Sequence, residues 1–268
     1  MPLTPLPAIV DMNPLVGQVD FLWITFDCLR FDVATLCTQA GETPHLPEIW
    51  ERRETPGTFT LPAHLAFFHG FWPTPGGEGP HPRLFALEFD GSLSTAATTY
   101  VFREVPDLLS GFVALGYRTY CVGGVGFFNK RNPLGHVLPG YFQESVWSPE
   151  LGVASRNSPA LQVEAAVKWL AKQPRTQRVL LFVNIAATHP PHAFFAGTPT
   201  ECVDSQRAAL RAVDRELPRL YAALRARGPC FALFTGDHGE AYGEDGRFGH
   251  RLAHPVVTTV PYAHFLVV

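Results

Sequence analysis

The sequence predicts an α/β protein with a mostly parallel central sheet flanked by helices. Short apolar runs of strand length alternate along the chain with segments whose apolar residues recur at helical spacing. This alternation is typical of a parallel sheet that helices cover on both faces. The 268 residues could form one large domain or two small ones, and 46% hydrophobic residues suffice for a sizeable core. Because no segment has the composition of an interdomain linker, we predict a single domain over residues 1–268.

The predicted elements follow from these patterns. Four runs rich in apolar, β-branched and aromatic residues are predicted to be buried strands: residues 19–26, 117–122, 178–185 and 231–234. Three segments with an apolar face and Arg or Glu on the other face are predicted to be helices: residues 105–115, 159–171 and 205–225. Two segments rich in Gly and Pro are predicted to be surface loops near the site: residues 71–83 and 130–158.

Composition argues against several classes of partner. The net charge is −3 and the basic residues are scattered, so we expect no nucleic-acid partner. No apolar run approaches the roughly 20 residues that cross a bilayer, so we expect no membrane partner. The first basic residue is Arg30, so the start of the chain lacks the charged segment of a secretory signal. The sequence therefore predicts a cytoplasmic protein.

The spacing of the cysteines does not indicate a disulfide framework. The five are widely spaced and form no Cys-x-x-Cys pair: Cys28, Cys37, Cys121, Cys202 and Cys230. Neither a disulfide scaffold nor a thiolate zinc site is predicted from this spacing.

Polar residues follow three of the predicted strands. Asp27 ends the first strand, His189 follows the strand at 178–185, and Asp237 follows the strand at 231–234. Ligands of open parallel sheets bind beyond the carboxyl ends of the strands. These three side chains are therefore predicted to share one site.

Several of these residues are candidate metal ligands. Asp237 and His238 are adjacent, and carboxylate oxygen and imidazole nitrogen both bind zinc at about 2.0–2.2 Å. The alternative is an Asp that caps a helix beside a surface histidine, but Glu240 and the later His250 favour a metal. His250 and Asp27 are predicted as further ligands, although Asp also caps many helices that follow strands.

Thr60 is the candidate nucleophile. It precedes Pro62, and proline is favoured in the first turn of a helix, so Thr60 is predicted to lie at a helix N-terminus that favours an anion. A hydroxyl at this point that contacts a metal can ionise and attack phosphorus or sulfur. An ordinary N-cap is the alternative. His64 is predicted to be catalytic by donating to a substrate oxygen, and alternatively it packs against the helix.

Two histidines and one arginine complete the candidate site. His189 and His192 flank two prolines that hold their loop extended. His189 is predicted to be catalytic, as a general acid for the leaving group or as a ligand of a second metal. His192 and Arg30 are predicted to bind substrate. The alternatives are solvated loop histidines and an ion pair between Arg30 and Asp32.

These motifs resemble those of the alkaline phosphatase and sulfatase superfamily. Its members share a first-strand Asp, a nucleophile before a short Pro-containing helix, and a late Asp-His pair. Here those residues are Asp27, Thr60 and the pair Asp237-His238. The likeness runs from about residue 18 to the end and is greatest to a compact, stand-alone sulfatase-like metalloenzyme branch. Three further segments fit the superfamily: residues 187–192, 212–214 and a closing strand at 260–262.

The resemblance implies an alkaline-phosphatase-like core without the C-terminal extension of larger members. It implies that Asp27, Asp237 and His238 hold a divalent metal, with Thr60 as fourth ligand and nucleophile. Oxygen and nitrogen ligands suit zinc and manganese about equally, and one or two ions are expected.

One departure from the sulfatases decides the predicted reaction. Sulfatases convert a Cys or Ser within Cys/Ser-x-Pro-x-Arg to formylglycine, whereas this chain has Thr60 and His64 at those positions. The sequence therefore predicts a metal-dependent hydrolase or transferase of phosphoesters that forms a covalent phospho-enzyme. The alternatives are a non-catalytic metal-binding subunit of a biosynthetic complex and a sulfuryl ester hydrolase lacking formylglycine. The expected partners are a small-molecule or peptide-borne ester substrate and a partner protein from a biosynthetic cluster.

Overall fold

An eight-stranded mixed sheet forms the centre of the computed structural model, which describes residues 3–70 and 106–268. Five strands are parallel and lie in the order β7-β2-β6-β4-β5. Strand β10 pairs antiparallel with β7, and β1 and β3 pair antiparallel with β10. The bounds are β1 Thr4–Pro5, β2 Asp20–Phe26, β3 Glu51–Glu54, β4 Arg118–Val122, β5 Glu144–Val146, β6 Val179–Ile185, β7 Cys230–Gly236 and β10 Thr259–Val267. A separate small hairpin consists of β8 Ala241–Tyr242 and β9 Phe248–Gly249.

Helices cover both faces of this sheet. Their bounds are α1 Phe31–Gln39, α2 Thr60–His69, α3 Leu108–Ala114, α4 Pro133–Val137, α5 Ser158–Leu170, α6 Ala193–Ala196, α7 Val203–Asp214, α8 Leu217–Arg225 and α9 Pro255–Thr258. Alternate side chains of β2 enter two different cores because successive residues of a strand point to opposite faces. Ile24 and Phe26 pack with α1, α5, α7 and α8, whereas Phe21 packs with α2 and α3. The predicted α/β class with a mostly parallel sheet is confirmed.

The four predicted strands are confirmed with small shifts at their ends, and the closing strand is longer than predicted. The segment at 205–225 is helical as predicted, but it is two helices and not one, because α7 ends at Asp214 and α8 begins at Leu217. Pro218 lies in the first turn of α8. A proline there lacks the N–H for a continuous helix, and its ring clashes with the carbonyl four residues earlier. Residue 105 of the predicted helix at 105–115 lies outside the described residues, as does the predicted loop at 71–83.

The segment at 130–158 is more regular than the predicted surface loop. It contains α4 and the edge strand β5, which pairs parallel with β4. Among the described residues, no helix is both long enough and apolar enough to cross a membrane. The five cysteine side chains are unpaired, and four of them are buried.

Candidate active site

The candidate site lies where three neighbouring parallel strands end. Strand β2 lies between β6 and β7, and the register pairs Phe26 with Ile185 on one side and with Gly236 on the other. The next residues of β2 and β7 are Asp27 and Asp237, so the two carboxylates lie side by side. The predicted convergence of strand ends is therefore found in the structure.

Asp27, Asp237 and His238 form a fully buried group of potential metal ligands whose ligand atoms lie within 4.8 Å of one another. The Nε2 atom of His238 is 3.7 Å from Asp27 Oδ1 and 3.6 Å from Asp237 Oδ2. Asp237 Oδ1 accepts hydrogen bonds from the backbone N–H groups of Cys28 and His238, at 3.1 and 2.9 Å. Asp237 Oδ2 is buried and has no hydrogen-bond partner within the described part of the chain. A buried carboxylate oxygen is costly in this state, and a bound cation would satisfy it.

The charges of the two carboxylates are coupled. Burial, and then the nearby Asp27, raise the pKa of Asp237 well above its usual value. Burial also acts to raise the pKa of Asp27, but His189, His238 and a hydrogen bond from Asn184 outweigh it and lower that pKa. Two buried carboxylates this close repel each other when both are ionised. A divalent cation between them would allow both to carry charge.

The tautomer of His238 also suits a metal. Its Nδ1 lies 2.9 Å from the carbonyl oxygen of Gly239, so Nδ1 carries the proton and donates it to that oxygen. The Nε2 lone pair is then free on the side of the carboxylates. Burial lowers the pKa of His238 to about 4, which keeps the imidazole neutral at physiological pH. Neutral imidazole and carboxylate are ligands that zinc accepts, and this group fits such an ion.

Thr60 is the first residue of α2, two positions earlier than the helix start predicted near Pro62. Its hydroxyl Oγ1 lies 3.3 and 3.5 Å from the two carboxylate oxygens of Asp27. The approach to this helix is tight, because a Cβ on Gly57 would lie 2.5 Å from the backbone nitrogen of Ala63. The structure thus brings the predicted nucleophile against the predicted metal ligands.

His64 lies one turn after Thr60 and is fully buried. Its Nδ1 is 2.7 Å from the carbonyl oxygen of Thr60 and therefore donates to it. Its Nε2 is 3.0 Å from the hydroxyl of Thr25 and accepts from it. Burial lowers the pKa of His64 to about 4. Because both ring nitrogens bind protein atoms, the geometry favours a positioning role for His64 over the predicted donation to substrate.

His189 and His250 lie on the outer side of this group and are only partly buried. The centroids of their rings are 5.6 Å apart, and that of His250 is 4.7 Å from that of His238. Nδ1 of His250 is 2.6 Å from Glu240 Oε2, and Nδ1 of His189 is 2.5 Å from the carbonyl oxygen of Pro190. Each ring is thereby held by one nitrogen. Both predicted histidines therefore belong to the same site.

The two predicted substrate-binding residues are engaged within the protein. Arg30 is 3% exposed, and its guanidinium binds Asp32 at 2.7 Å and Glu244 at 2.5 Å. His192 is fully buried, with its ring nitrogens 2.9 Å from the hydroxyl of Ser205 and 2.8 Å from that of Tyr242. The geometry favours the alternative reading of Arg30 as an ion-paired residue. Arg30 holds the loop before β8 through the carbonyl oxygen of Glu240, and His192 holds the β8–β9 hairpin through the hydroxyl of Tyr242.

Three buried polar residues escaped the sequence analysis. Asn184 in β6 donates 3.0 Å to Asp27 Oδ2 and accepts from the backbone of Val125 at 3.1 Å. Gln206 in α7 donates to the carbonyl oxygens of Cys28 and Thr188, at 2.8 and 3.0 Å. Asn184 is the one polar residue of an apolar strand, which is the signal that could have identified it. Gln206 lies on the buried face of α7 beside other polar residues and gave no comparable signal.

Cys28 is the third such residue. It follows Asp27, is fully buried, and has its sulfur 3.5 Å from Glu240 Oε2. Burial, and then the charge of Asp27, raise the pKa of its thiol well above the usual value. Its spacing from the other cysteines gave no indication of a place in the site.

Solved structures of enzymes share this fold. No protein-family model and no curated protein matches the sequence. The lipoteichoic acid synthase LtaP from Listeria monocytogenes superposes with a TM-score of 0.64 at 12% identity, covering 98% of this chain and 69% of that chain. The C-terminal periplasmic domain of EcEptC from Escherichia coli, in complex with Zn, gives 0.63 at 15% identity, covering 98% and 77%.

A third neighbour is a hydrolase. The phosphonate monoester hydrolase of Agrobacterium radiobacter gives a TM-score of 0.57 at 15% identity, covering 92% of this chain and 68% of that chain. At these identities the likeness concerns the fold. The chain has the fold of the sulfatase-like enzymes of the alkaline phosphatase superfamily.

Proposed function

We propose that the protein is a metal-dependent transferase or hydrolase of phosphoesters that uses Thr60 as its nucleophile. The observation that carries this proposal is the buried Oδ2 of Asp237, which has no hydrogen-bond partner among the described residues and lies 3.6 Å from Nε2 of His238. The hydroxyl of Thr60 lies 3.3 Å from Asp27 in the same group. A cation site beside a hydroxyl at the start of a helix is a suitable arrangement for attack on a phosphoester.

The residues that would hold the metal are Asp27, Asp237, His238 and Thr60. When bound, a zinc or manganese ion lowers the pKa of a hydroxyl that contacts it and stabilises negative charge on the transferred group. His64 fixes the backbone of Thr60 through its carbonyl oxygen. Asn184 fixes the carboxylate of Asp27.

The proposed reaction has two displacements. In the first, Thr60 Oγ1 loses its proton to solvent and forms a bond to phosphorus, the bond from phosphorus to the leaving oxygen breaks, and His189 gives that oxygen a proton. In the second, water or the hydroxyl of an acceptor attacks phosphorus and gives its proton to His189, while the bond from phosphorus to Thr60 Oγ1 breaks and Oγ1 regains a proton from solvent. Water gives hydrolysis, and an acceptor hydroxyl gives transfer. The chain's own residues therefore supply the nucleophile and the general acid.

The neighbours support both outcomes, because they include a synthase of lipoteichoic acid and a hydrolase of phosphonate monoesters. A threonine at position 60 favours the phosphoester branch over formylglycine sulfatases. For the substrate we propose a small-molecule or peptide-borne ester, and for the compartment the cytoplasm. A partner protein from a biosynthetic cluster remains compatible with the site.

The test compares Thr60→Ala with Thr58→Ala, a change at a threonine two positions earlier. Metal-stripped proteins refilled with zinc or manganese are assayed on an aryl phosphate monoester, a phosphate diester, a phosphonate monoester and a sulfate. We expect Thr60→Ala to lower turnover by at least about 1000-fold, as loss of a nucleophile does in other hydrolases. Thr58→Ala should remain near the wild-type rate.

A second readout addresses the intermediate. Rapid acid quench during turnover, followed by peptide mass spectrometry, should find phosphate on the peptide that contains Thr60. Turnover retained in Thr60→Ala would remove Thr60 from the mechanism. Metal binding without turnover of any ester would instead favour a non-catalytic metal-binding subunit.

A further inference from the structure

Cys28 has an unusual environment for a buried cysteine. Cys37, Cys121 and Cys230 each pack within one of the two hydrophobic cores, whereas Cys28 belongs to neither. Its sulfur contacts one carboxylate and two imidazoles. The distances are 3.5 Å to Glu240 Oε2, 4.0 Å to His238 Nε2 and 3.9 Å to His250 Nδ1.

The spacing of these atoms resembles that of ligands around one ion. Zinc binds sulfur at about 2.3 Å and nitrogen or oxygen at about 2.0–2.2 Å, so tetrahedral ligand atoms lie about 3.3–3.8 Å apart. The distances from the sulfur of Cys28 run from 3.5 to 4.0 Å, so one lies within that range and two lie just above it. Cys28 also belongs to two groups of potential metal ligands, one with His238 and His250 and one with Asp27 and His189. Within each group, the ligand atoms lie within 4.8 Å of one another. The thiol therefore lies within 4.8 Å of a ligand atom of Asp27 and of both outer histidines.

The backbone at Cys28 gives independent support. Its φ is 61°, a left-handed conformation that costs a side-chain-bearing residue on the order of 1 kcal/mol or more and that glycine adopts freely. The conformation is held by the bond from the Cys28 N–H to Asp237 and by the bond from Gln206 to the Cys28 carbonyl oxygen. Glycine would make both backbone bonds with less strain. A cysteine here is therefore explained by what its sulfur contacts.

We propose that Cys28 is a thiolate ligand of the metal centre and makes that centre selective for zinc over manganese. The inference rests on the proposed function, because it assumes that Asp27, Asp237 and His238 hold a metal. On binding, the S–H bond breaks, a sulfur–metal bond forms, and one proton leaves to solvent. Thiolate is a soft ligand that suits zinc, whereas carboxylate, carbonyl and water suit manganese. The sulfur ligand thus favours zinc over manganese, whereas the oxygen and nitrogen ligands alone bind the two metals about equally.

The test uses cobalt as a spectroscopic substitute for zinc, with Cys28→Ser and the matched control Cys202→Ser. Cys202 is the N-cap of α7, where serine is a favoured residue, so the control should fold normally. Metal-stripped proteins are titrated with cobalt, and bound metal is measured by elemental analysis. We expect a thiolate-to-cobalt charge-transfer band in wild type and Cys202→Ser. The band should be absent from Cys28→Ser, which still binds cobalt.

A competition between zinc and manganese gives the second readout. Loss of the thiolate should lower the preference for zinc over manganese by at least about 10-fold, since changes to residues that only support metal ligands already lower metal affinity by about 10-fold to 100-fold. Wild-type protein that binds cobalt and hydrolyses esters without a charge-transfer band would overturn the role of Cys28 and leave the proposed function intact. A band that persists in Cys28→Ser would likewise overturn it, whereas wild type that binds no metal would overturn both proposals.

Discussion

The two ends of strand β2 both carry a buried aspartate, but their charges are balanced differently. At the amino end, Asp20 binds Arg227 at 2.8 Å and Arg178 at 3.5 Å, and it accepts a hydrogen bond from the backbone of Val179 at 3.1 Å. At the carboxyl end, Asp27 lies beside a second carboxylate, Asp237. Within the described residues, the ion-pair partners of these two are histidines alone.

This difference indicates that Asp20 is a structural carboxylate, whereas the carboxylates at the other end of the strand are suited to bind a ligand. A buried charge is tolerated when it is paired and hydrogen-bonded, as Asp20 is. Asp237 keeps one oxygen without a hydrogen-bond partner in the described part of the chain. The unsatisfied end coincides with the carboxyl ends of parallel strands, where open sheets bind their ligands. Among the described residues, the fold therefore leaves a buried carboxylate oxygen unsatisfied at the place where a bound cation would satisfy it.

The largest effect is expected at the carboxyl end. Asp237→Asn removes a predicted ligand and should lower metal affinity by at least about 100-fold and abolish most turnover. The same change removes repulsion between two buried carboxylates, so the metal-free variant should unfold at a higher temperature than metal-free wild type at pH 8. Calorimetry with and without zinc measures both effects. A variant that is less stable than wild type without metal would show that Asp237 is a structural residue like Asp20.

The matched change at the amino end should have the opposite signature. Asp20→Asn leaves Arg227 buried without its carboxylate, and breaking a buried ion pair from one side costs about 3–5 kcal/mol. Chemical denaturation should report this loss of unfolding free energy. Metal affinity and the KM of the folded variant should stay near wild type because Asp20 lies at the far end of the strand. A selective loss of metal binding at full stability would contradict the comparison.

The sequence was sufficient for the fold and for part of the set of residues that meet in the site. Strands β2, β6 and β7 could be predicted because each is a continuous apolar run, and Asp27, His189 and Asp237 could be grouped because each follows a strand end. The motif resemblance added Thr60, which the local pattern alone leaves as an ordinary cap. The break between α7 and α8 was also present in the sequence as Pro218, but the helical periodicity on both sides of it masked the interruption.

The roles of individual side chains depended on contacts that sequence spacing does not contain. His64 and Arg30 were predicted to face substrate, yet each is held by residues distant in the chain, such as Thr25 and Glu244. Asn184 is visible in the sequence as the one polar residue of an apolar strand, but its contact with Asp27, a residue distant in the chain, is not. Cys28 was overlooked because only its neighbours in space, and not the other cysteines, define its environment.

The smallest effect concerns the protonation of buried histidines at the carboxyl end. Burial lowers the pKa of His192, as of His64 and His238, to about 4. The unfolded chain binds a proton near pH 6.5, so each of these residues makes stability rise with pH between about 4 and 6.5. This contribution is fully present above pH 6.5 and is lost as the pH falls through the window. Asp237 acts in the opposite direction in the metal-free protein, because its pKa is raised.

The contribution of His192 to the pH dependence can be measured separately from the opposing contribution of Asp237. His192→Gln keeps a donor and an acceptor near Ser205 and Tyr242 but cannot take up a proton. The slope of unfolding free energy against pH, measured between pH 4.5 and 6 on metal-free protein, should fall by about 1.4 kcal/mol per pH unit relative to wild type. Equal slopes would mean that His192 is already protonated in the folded protein. In that case Glu201, whose carboxylate lies 2.9 Å from Nδ1, would pair with a charged imidazole, in the manner of Asp20 with Arg227.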